Sequence, residues 1–180
     1  MDLPGEMEMM YQVDALTGVY NGPAIEQLLA ERLDSRRAST FPVGCLLVDI
    51  DRFSEINDIY GQEVGDEVLR RVAKLVANSC RTEDSVGRYG ADEFLLVLPS
   101  TGAAGMIVVG ERLIRTVSSA YWDDLPSAQE VTISIGGTYI SQGSGVDASE
   151  MLSIARSRLA TAKEAGRGGM IISAPTVARY

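Results

Sequence analysis

SVGRYGADEF, residues 85–94, runs straight into LLVLP, residues 95–99. A strand-like piece comes first, then Gly90 and Ala91, then an apolar run from Phe94 to Leu98 that Pro99 stops. A short apolar run bounded by turn residues reads as a buried strand. Two strands this close in sequence pair as an antiparallel hairpin. Asp92 and Glu93 stand side by side at its tip. Adjacent carboxylates repel, and neither is buried cheaply, so the pair calls for a purpose beyond packing.

Working outward, VGCLLVDI (43–50) is a second buried strand, and it too ends in acid. VTISIGGTYI (131–140) alternates as a strand should, and MIIS (170–173) is a last short strand. Residues 24–37 place apolar side chains at 25, 28, 29 and 33, which predicts an amphipathic helix with Pro23 in its first turn. A second helix is expected over 64–76, where Val64, Val68, Leu69, Val72, Leu75 and Val76 form one stripe. Residues 102–119 read as a helix despite three glycines, and 148–166 as a helix that Gly166 ends. Interleaved helices and strands with one tight hairpin imply an α/β sandwich on a mixed sheet, closer to ferredoxin-like than to all-parallel. There is no internal repeat or linker. Residues 1–13 read as a linker or the tail of an upstream segment, 14–175 as the domain, and 176–180 as a C-terminal tail.

The chain has 180 residues, a net charge of −9 and no His. Its pI of about 4.5 argues against non-specific nucleic-acid binding and against a basic membrane patch. An acidic protein still binds phosphates if metal ions hold them. Cys45 and Cys80, the only cysteines, imply no disulfide framework and suit a reducing compartment. No apolar run approaches the ~20 residues of a membrane helix, and the start has no signal-peptide pattern.

In VDIDRF (48–53), Asp49 and Asp51 alternate at a strand end and are expected on opposite faces. With Asp49 near the hairpin tip, Asp49, Asp92 and Glu93 converge. Such a set suits Mg²⁺, and two ions would activate a hydroxyl and neutralise a triphosphate. The plainer reading makes them solvated turn acids. Asn57 and Asp66 bracket Gly61 and Gly65, and an amide with a carboxylate can read a guanine edge. The plainer reading makes them loop and cap residues, with Asp66 capping the next helix. Lys163 and Arg167 either complement a helix dipole or clamp phosphate.

These pieces together resemble the GGDEF domain of the diguanylate cyclase family. The resemblance runs through DALTGVYN (14–21), VDIDRFSEINDIYGQEVGDEVL (48–69), RTEDSVGRYGADEF (81–94), VTISIGG (131–137) and AKEAGRGG (162–169). It implies a mainly antiparallel five-stranded sheet of the nucleotide-cyclase palm type. It also implies that two GTP-loaded copies meet head to head, transiently, to make cyclic di-GMP. Asp49, the Ile50 carbonyl, Asp92 and Glu93 would hold two Mg²⁺ per site, with Mn²⁺ as a substitute, and Glu93 would support the attacking 3′-hydroxyl. Asn57 and Asp66 would read guanine, Phe53 would line the pocket, and Gly90 and Ala91 would form the turn under the nucleotide. Lys163 and Arg167 would hold the triphosphate. Arg81 and Asp84 match the inhibitory RxxD site that binds cyclic di-GMP. An upstream sensory domain and a bacterial cytoplasmic location, the latter for a free protein or for part of a longer sensor, are implied as well.

The chain departs from the family pattern in five places. Ala91 replaces the second signature Gly, which would crowd the ligand and, at positive φ, would cost about 1–2 kcal/mol. Ser54 stands where a Lys is usual, Gln62 for a His, Asn21-Gly22 for Asn-Arg, and Arg156 for an Asp. Two readings follow: a working cyclase, or a degenerate domain that binds GTP or cyclic di-GMP to regulate a neighbour.

Overall fold

A computed structural model describes residues 12–36, 41–122, 130–141 and 145–175. The expected tails at 1–13 and 176–180 lie outside these residues, apart from Gln12 and Val13. The strands are β1 (Val43–Ile50), β2 (Ser85–Arg88), β3 (Glu93–Pro99), β4 (Ile133–Ile140) and β5 (Met170–Ile172). The helices are α1 (Gly22–Arg36), α2 (Phe53–Tyr60), α3 (Gln62–Asn78), α4 (Ala103–Ser118) and α5 (Ala148–Glu164). The strands form one sheet in the order β2-β3-β1-β4-β5. Only β4 and β5 run parallel, so the sheet is mixed and mainly antiparallel, as expected.

Strand β1 lies at the centre and is buried along its whole length. Its alternate residues feed two cores. Leu46, Val48 and Ile50 face α2, α3 and α4, while Cys45 and Leu47 face α1 and α5. Full burial of each such aliphatic side chain contributes about 1.5–3 kcal/mol, which fixes β1 and therefore the position of Asp49 near its end. Helix α1 is capped by the Asn21 side chain, which accepts from Ala24 N–H at 3.0 Å. Asp147 caps α5 by accepting from Glu150 N–H. Helix α5 ends before Gly166, whose φ of 127° is open to glycine.

Sequence periodicity did not separate α2 from a loop. The eight-residue helix buries Phe53 and Ile56 and follows Arg52, which has φ 56°. Helix α3 starts at Gln62, with Gly61 at its N-cap. Asp66 therefore sits inside α3 and does not cap it.

The seating of α5 on β4 is close enough to exclude a methyl group. A Cβ on Gly136 would collide with the backbone of Ala155 and Leu159. Backbone yields less readily than a side chain, so Gly136→Ala should cost stability near the top of the overpacking range of about 1–3 kcal/mol. Denaturant titration measures this, and an unchanged midpoint would show that α5 can shift freely.

Candidate active site

The hairpin and the end of β1 are locked in register, with Asp49 opposite Glu93 and Val48 opposite Phe94. Directly paired residues in an antiparallel ladder share a face. Asp49 and Glu93 thus lie on the α1–α5 side of the sheet. The turn before Glu93 is closed by Tyr89 and Gly90 N–H groups, which both donate to the Glu93 carbonyl at 2.8 and 3.1 Å. Ile50 N–H donates to the Asp92 carbonyl at 3.2 Å, which draws Asp92 in beside β1.

Asp49 is buried, with 4% exposure. Burial pushes its carboxyl up to about 6. Its hydrogen bond with Lys163 opposes the rise, and the negative charges of Asp92 and Glu93 add to it. Lys163 Nζ, reaching down from α5, stands 2.7 Å from Asp49 Oδ2. The three acids singled out in the sequence are therefore electrostatic neighbours. Among the described residues, however, no group of three or more acids already stands as a metal cage. The donor set is oxygen only and carries surplus negative charge, which fits a hard divalent cation.

Asp51 behaves differently from the expectation. Its carboxylate accepts from Thr132 Oγ1 at 2.7 Å, Ser134 Oγ at 2.6 Å and Gly168 N–H at 3.0 Å. Ser134 is also the register partner of Asp49. Asp49 and Asp51 thus share a face, because a strand repeats every two residues; the opposite-face expectation misread that period. Asp51 is a structural acceptor that ties the end of β1 to β4 and to the loop after α5.

Phe53 and Asn57 both approach Gly65 where α2 meets α3. A Cβ on Gly65 would strike the Asn57 carboxamide oxygen and lie 3.3 Å from the Phe53 ring. Gly65 therefore makes room for Asn57, and half-buried Asp66 is the next residue. Arg167, at φ 63°, is exposed. With Asp51, Arg52, Glu130, Thr132 and Gly168 it lines a polar cavity of about 370 Å³. Among the described residues no ion pair joins it to Asp49 or Glu93.

Ala91 is exposed and is not among the residues with positive φ. The expected backbone strain does not arise. The Ala91 carbonyl instead accepts from Arg88 Nη2 at 2.7 Å. Arg88 also lies 3.5 Å from Asp14, and Asp14 in turn accepts from Thr17 N–H and Oγ1. This brace between residues 14–17 and the hairpin turn was not foreseen, because its partners are 74 residues apart.

Asp84 accepts from the Arg81 backbone N–H at 2.8 Å, so the contact between the two is a turn hydrogen bond. Beside them lies a cavity of about 320 Å³ lined by Val19, Tyr20, Ala77, Cys80, Arg81 and Asp84, among others. Burial, aided by Asp84, pushes the Cys80 thiol up to about 12, while Arg112 opposes the rise. Arg112 Nε is buried without a hydrogen-bond partner among the described residues. It is a further cation at this loop, and the sequence pattern did not point to it.

The fold and the acidic hairpin beside β1 define a nucleotide-cyclase type of domain. The family model described as "Diguanylate cyclase, GGDEF domain" matches residues 11–169, and the chain belongs to that family. It is 35% identical over 164 residues to the response regulator PleD of Caulobacter vibrioides, a match covering 88% of this chain and 35% of PleD. The chain thus spans about a third of that relative. The structure is similar to diguanylate cyclase SiaD of Pseudomonas aeruginosa, solved with its activator SiaC. The TM-score is 0.83 and identity is 30%, over 93% of this chain and 65% of that one. It is also similar to the GGDEF domain of DgcB from Caulobacter crescentus in complex with c-di-GMP. There the TM-score is 0.79 and identity is 25%, over 91% and 95% of the two chains. Among the described residues no helix is long and apolar enough to cross a membrane.

Proposed function

We propose that residues 14–175 form a diguanylate cyclase domain, which condenses two GTP into cyclic di-GMP and releases pyrophosphate. The observation that carries this reading is buried Asp49, next to Asp92 and Glu93 and met by Lys163 from α5. Asp49, Asp92, Glu93 and the Ile50 carbonyl would hold Mg²⁺, two ions per site, with Mn²⁺ as a substitute. Bound there, the metal would neutralise phosphate charge and ease loss of the hydroxyl proton.

The chain's own groups do the positioning. Asn57 and Asp66 take the guanine edge with Phe53 beneath, while Gly90 and Ala91 form the turn that the nucleotide passes. Lys163 and Arg167 meet the triphosphate from two sides. Glu93 supports the 3′-hydroxyl that attacks the α-phosphorus of GTP held by a second copy. Most of the acceleration comes from orientation and charge placement. A cytoplasmic location, where GTP is found, and an upstream sensory segment that sets dimerisation belong to the same reading.

One observation favours the regulatory alternative. Ser54 is exposed in the first turn of α2 and offers no cation there. Incubation with GTP and Mg²⁺, as the free chain and fused to a dimeric zipper, separates the two readings. The fused dimer should form cyclic di-GMP faster than the free chain. A fused dimer that binds GTP and makes no product would leave only the binding module.

The cavity beside Arg81 and Asp84, with Arg112 near, supports product binding at the RxxD site. The Arg81 fork suits phosphate or the guanine O6–N7 edge. Arg81→Ala should weaken cyclic di-GMP binding at least about tenfold, roughly 1.4 kcal/mol. Its side chain is exposed and makes no hydrogen bond or ion pair among the described residues, so the melting temperature should hold. Unchanged affinity in calorimetry would remove Arg81 from the product site.

A further inference from the structure

Helix α5 sends a second cation to the hairpin. Arg156 Nη2 stands 3.8 Å from Glu93 Oε2, as Lys163 stands 2.7 Å from Asp49. The two residues are seven apart, close to two helical turns or about 10.5 Å, so they rise from one face of α5. The Arg156 guanidinium also lies 5.7 Å from the centroid of the Tyr89 ring, within cation–π range. Tyr89 belongs to the hairpin turn, and its N–H donates to the Glu93 carbonyl. Arg156 thus leans on the root of the turn while its head reaches the carboxylate.

The contact is loose. Its length exceeds that of a hydrogen bond, and the Arg156 side chain is 60% exposed. Such pairs are readily exchanged. Lys163, shorter in contact and more buried, is the firmer of the two cations.

We propose that Arg156 is an exchangeable counter-ion of Glu93: it competes with divalent cations for that carboxylate and, once displaced, passes to a phosphate of the incoming nucleotide. This rests on the reading of Asp49, Asp92 and Glu93 as metal-holding groups. A divalent cation arriving alone adds positive charge beside Arg156 and Lys163, and both oppose it. Arriving with a triphosphate, it brings the anions that those two side chains can take. Arg156 thereby couples metal binding to nucleotide binding. It also supplies a cation from α5 where Ser54 supplies none from α2.

Mn²⁺ affinity measured by electron paramagnetic resonance tests this without any turnover. In nucleotide-free protein, Arg156→Ala should bind Mn²⁺ about threefold to tenfold more tightly than wild type. Arg156→Lys should stay near wild type. Arg70→Ala removes a surface charge that, among the described residues, pairs only with Glu67 on its own helix, and it should also stay near wild type. With a non-hydrolysable GTP analogue present, the Arg156→Ala advantage should vanish or reverse. Unchanged Mn²⁺ affinity in Arg156→Ala, or an equal gain in Arg70→Ala, would overturn the proposal and leave the metal reading intact. A wild-type protein that binds no Mn²⁺, with or without the analogue, would overturn both. Thermal melting of each variant confirms that it is folded.

Discussion

Asp49→Asn is expected to abolish cyclase activity while making the metal-free protein more stable. The carboxylate is buried, lies beside Asp92 and Glu93, and has its proton affinity raised to about 6 from an ordinary 3.8. Holding it ionised therefore costs the fold something on the order of 2–3 kcal/mol at neutral pH. The sign follows from linkage. The folded state holds the proton more tightly than the unfolded state does, so this site favours folding below about pH 4. That contribution is lost as pH rises towards 6 and stays lost above it. Asn removes the charge and keeps the shape. Calorimetry in chelator at pH 7.5 should show the variant melting several degrees higher, at about 2–4 °C per kcal/mol for a domain of this size. Near pH 4 the two proteins should converge. On the proposed metal-holding role of Asp49, turnover should fall at least about 10³-fold, some 4 kcal/mol of barrier. A variant that is inactive but no more stable at pH 7.5 would show that Lys163 already offsets the buried charge in full.

The same cluster shows what sequence patterns carry and what they omit. The apolar runs at 43–50 and 93–99 are strands because both of their faces are buried, and that demand is visible residue by residue. The register of Asp49 opposite Glu93 follows from the hairpin and the order of strands, so the acids could be brought together on paper. Polar partners across the fold leave no such trace. Asp51 is held by a hydroxyl 83 residues away, and nothing in VDIDRF separates that acceptor from Asp49, which meets Lys163. Arg88 reads as an ordinary surface charge, and Arg156 only as a departure from the family pattern, until the fold sets one beside Asp14 and the other beside Glu93. Helix α2 was missed because its eight residues bury only Phe53 and Ile56, too few contacts to fix a period. Ala91 would carry a backbone cost only in a left-handed conformation. The turn here needs none.

Asp66→Ala is expected to erase most of the preference for guanine over adenine. Asp66 lies within α3, one residue past Gly65, and the absence of a side chain at Gly65 lets Asn57 close against the helix. A half-buried carboxylate here can accept from guanine N1–H and the exocyclic amine. Adenine offers a lone pair at N1 instead, which repels it. Sites built to match a polar edge reject a mismatched ligand strongly, because their own groups then lose their partners. The intact domain should therefore prefer GTP over ATP by about 10³-fold. Without Asp66 that ratio should fall to within about tenfold, mainly through weaker GTP binding and not through tighter ATP binding. The fold should be little affected, since Asp66 makes no cap and no salt bridge among the described contacts. Titration of both nucleotides in the presence of Ca²⁺, chosen to hold turnover down, reads the ratio directly. If Asp66→Ala keeps the wild-type ratio, the guanine edge is read elsewhere, and Asn57, pressed against Gly65 from α2, becomes the group to replace next.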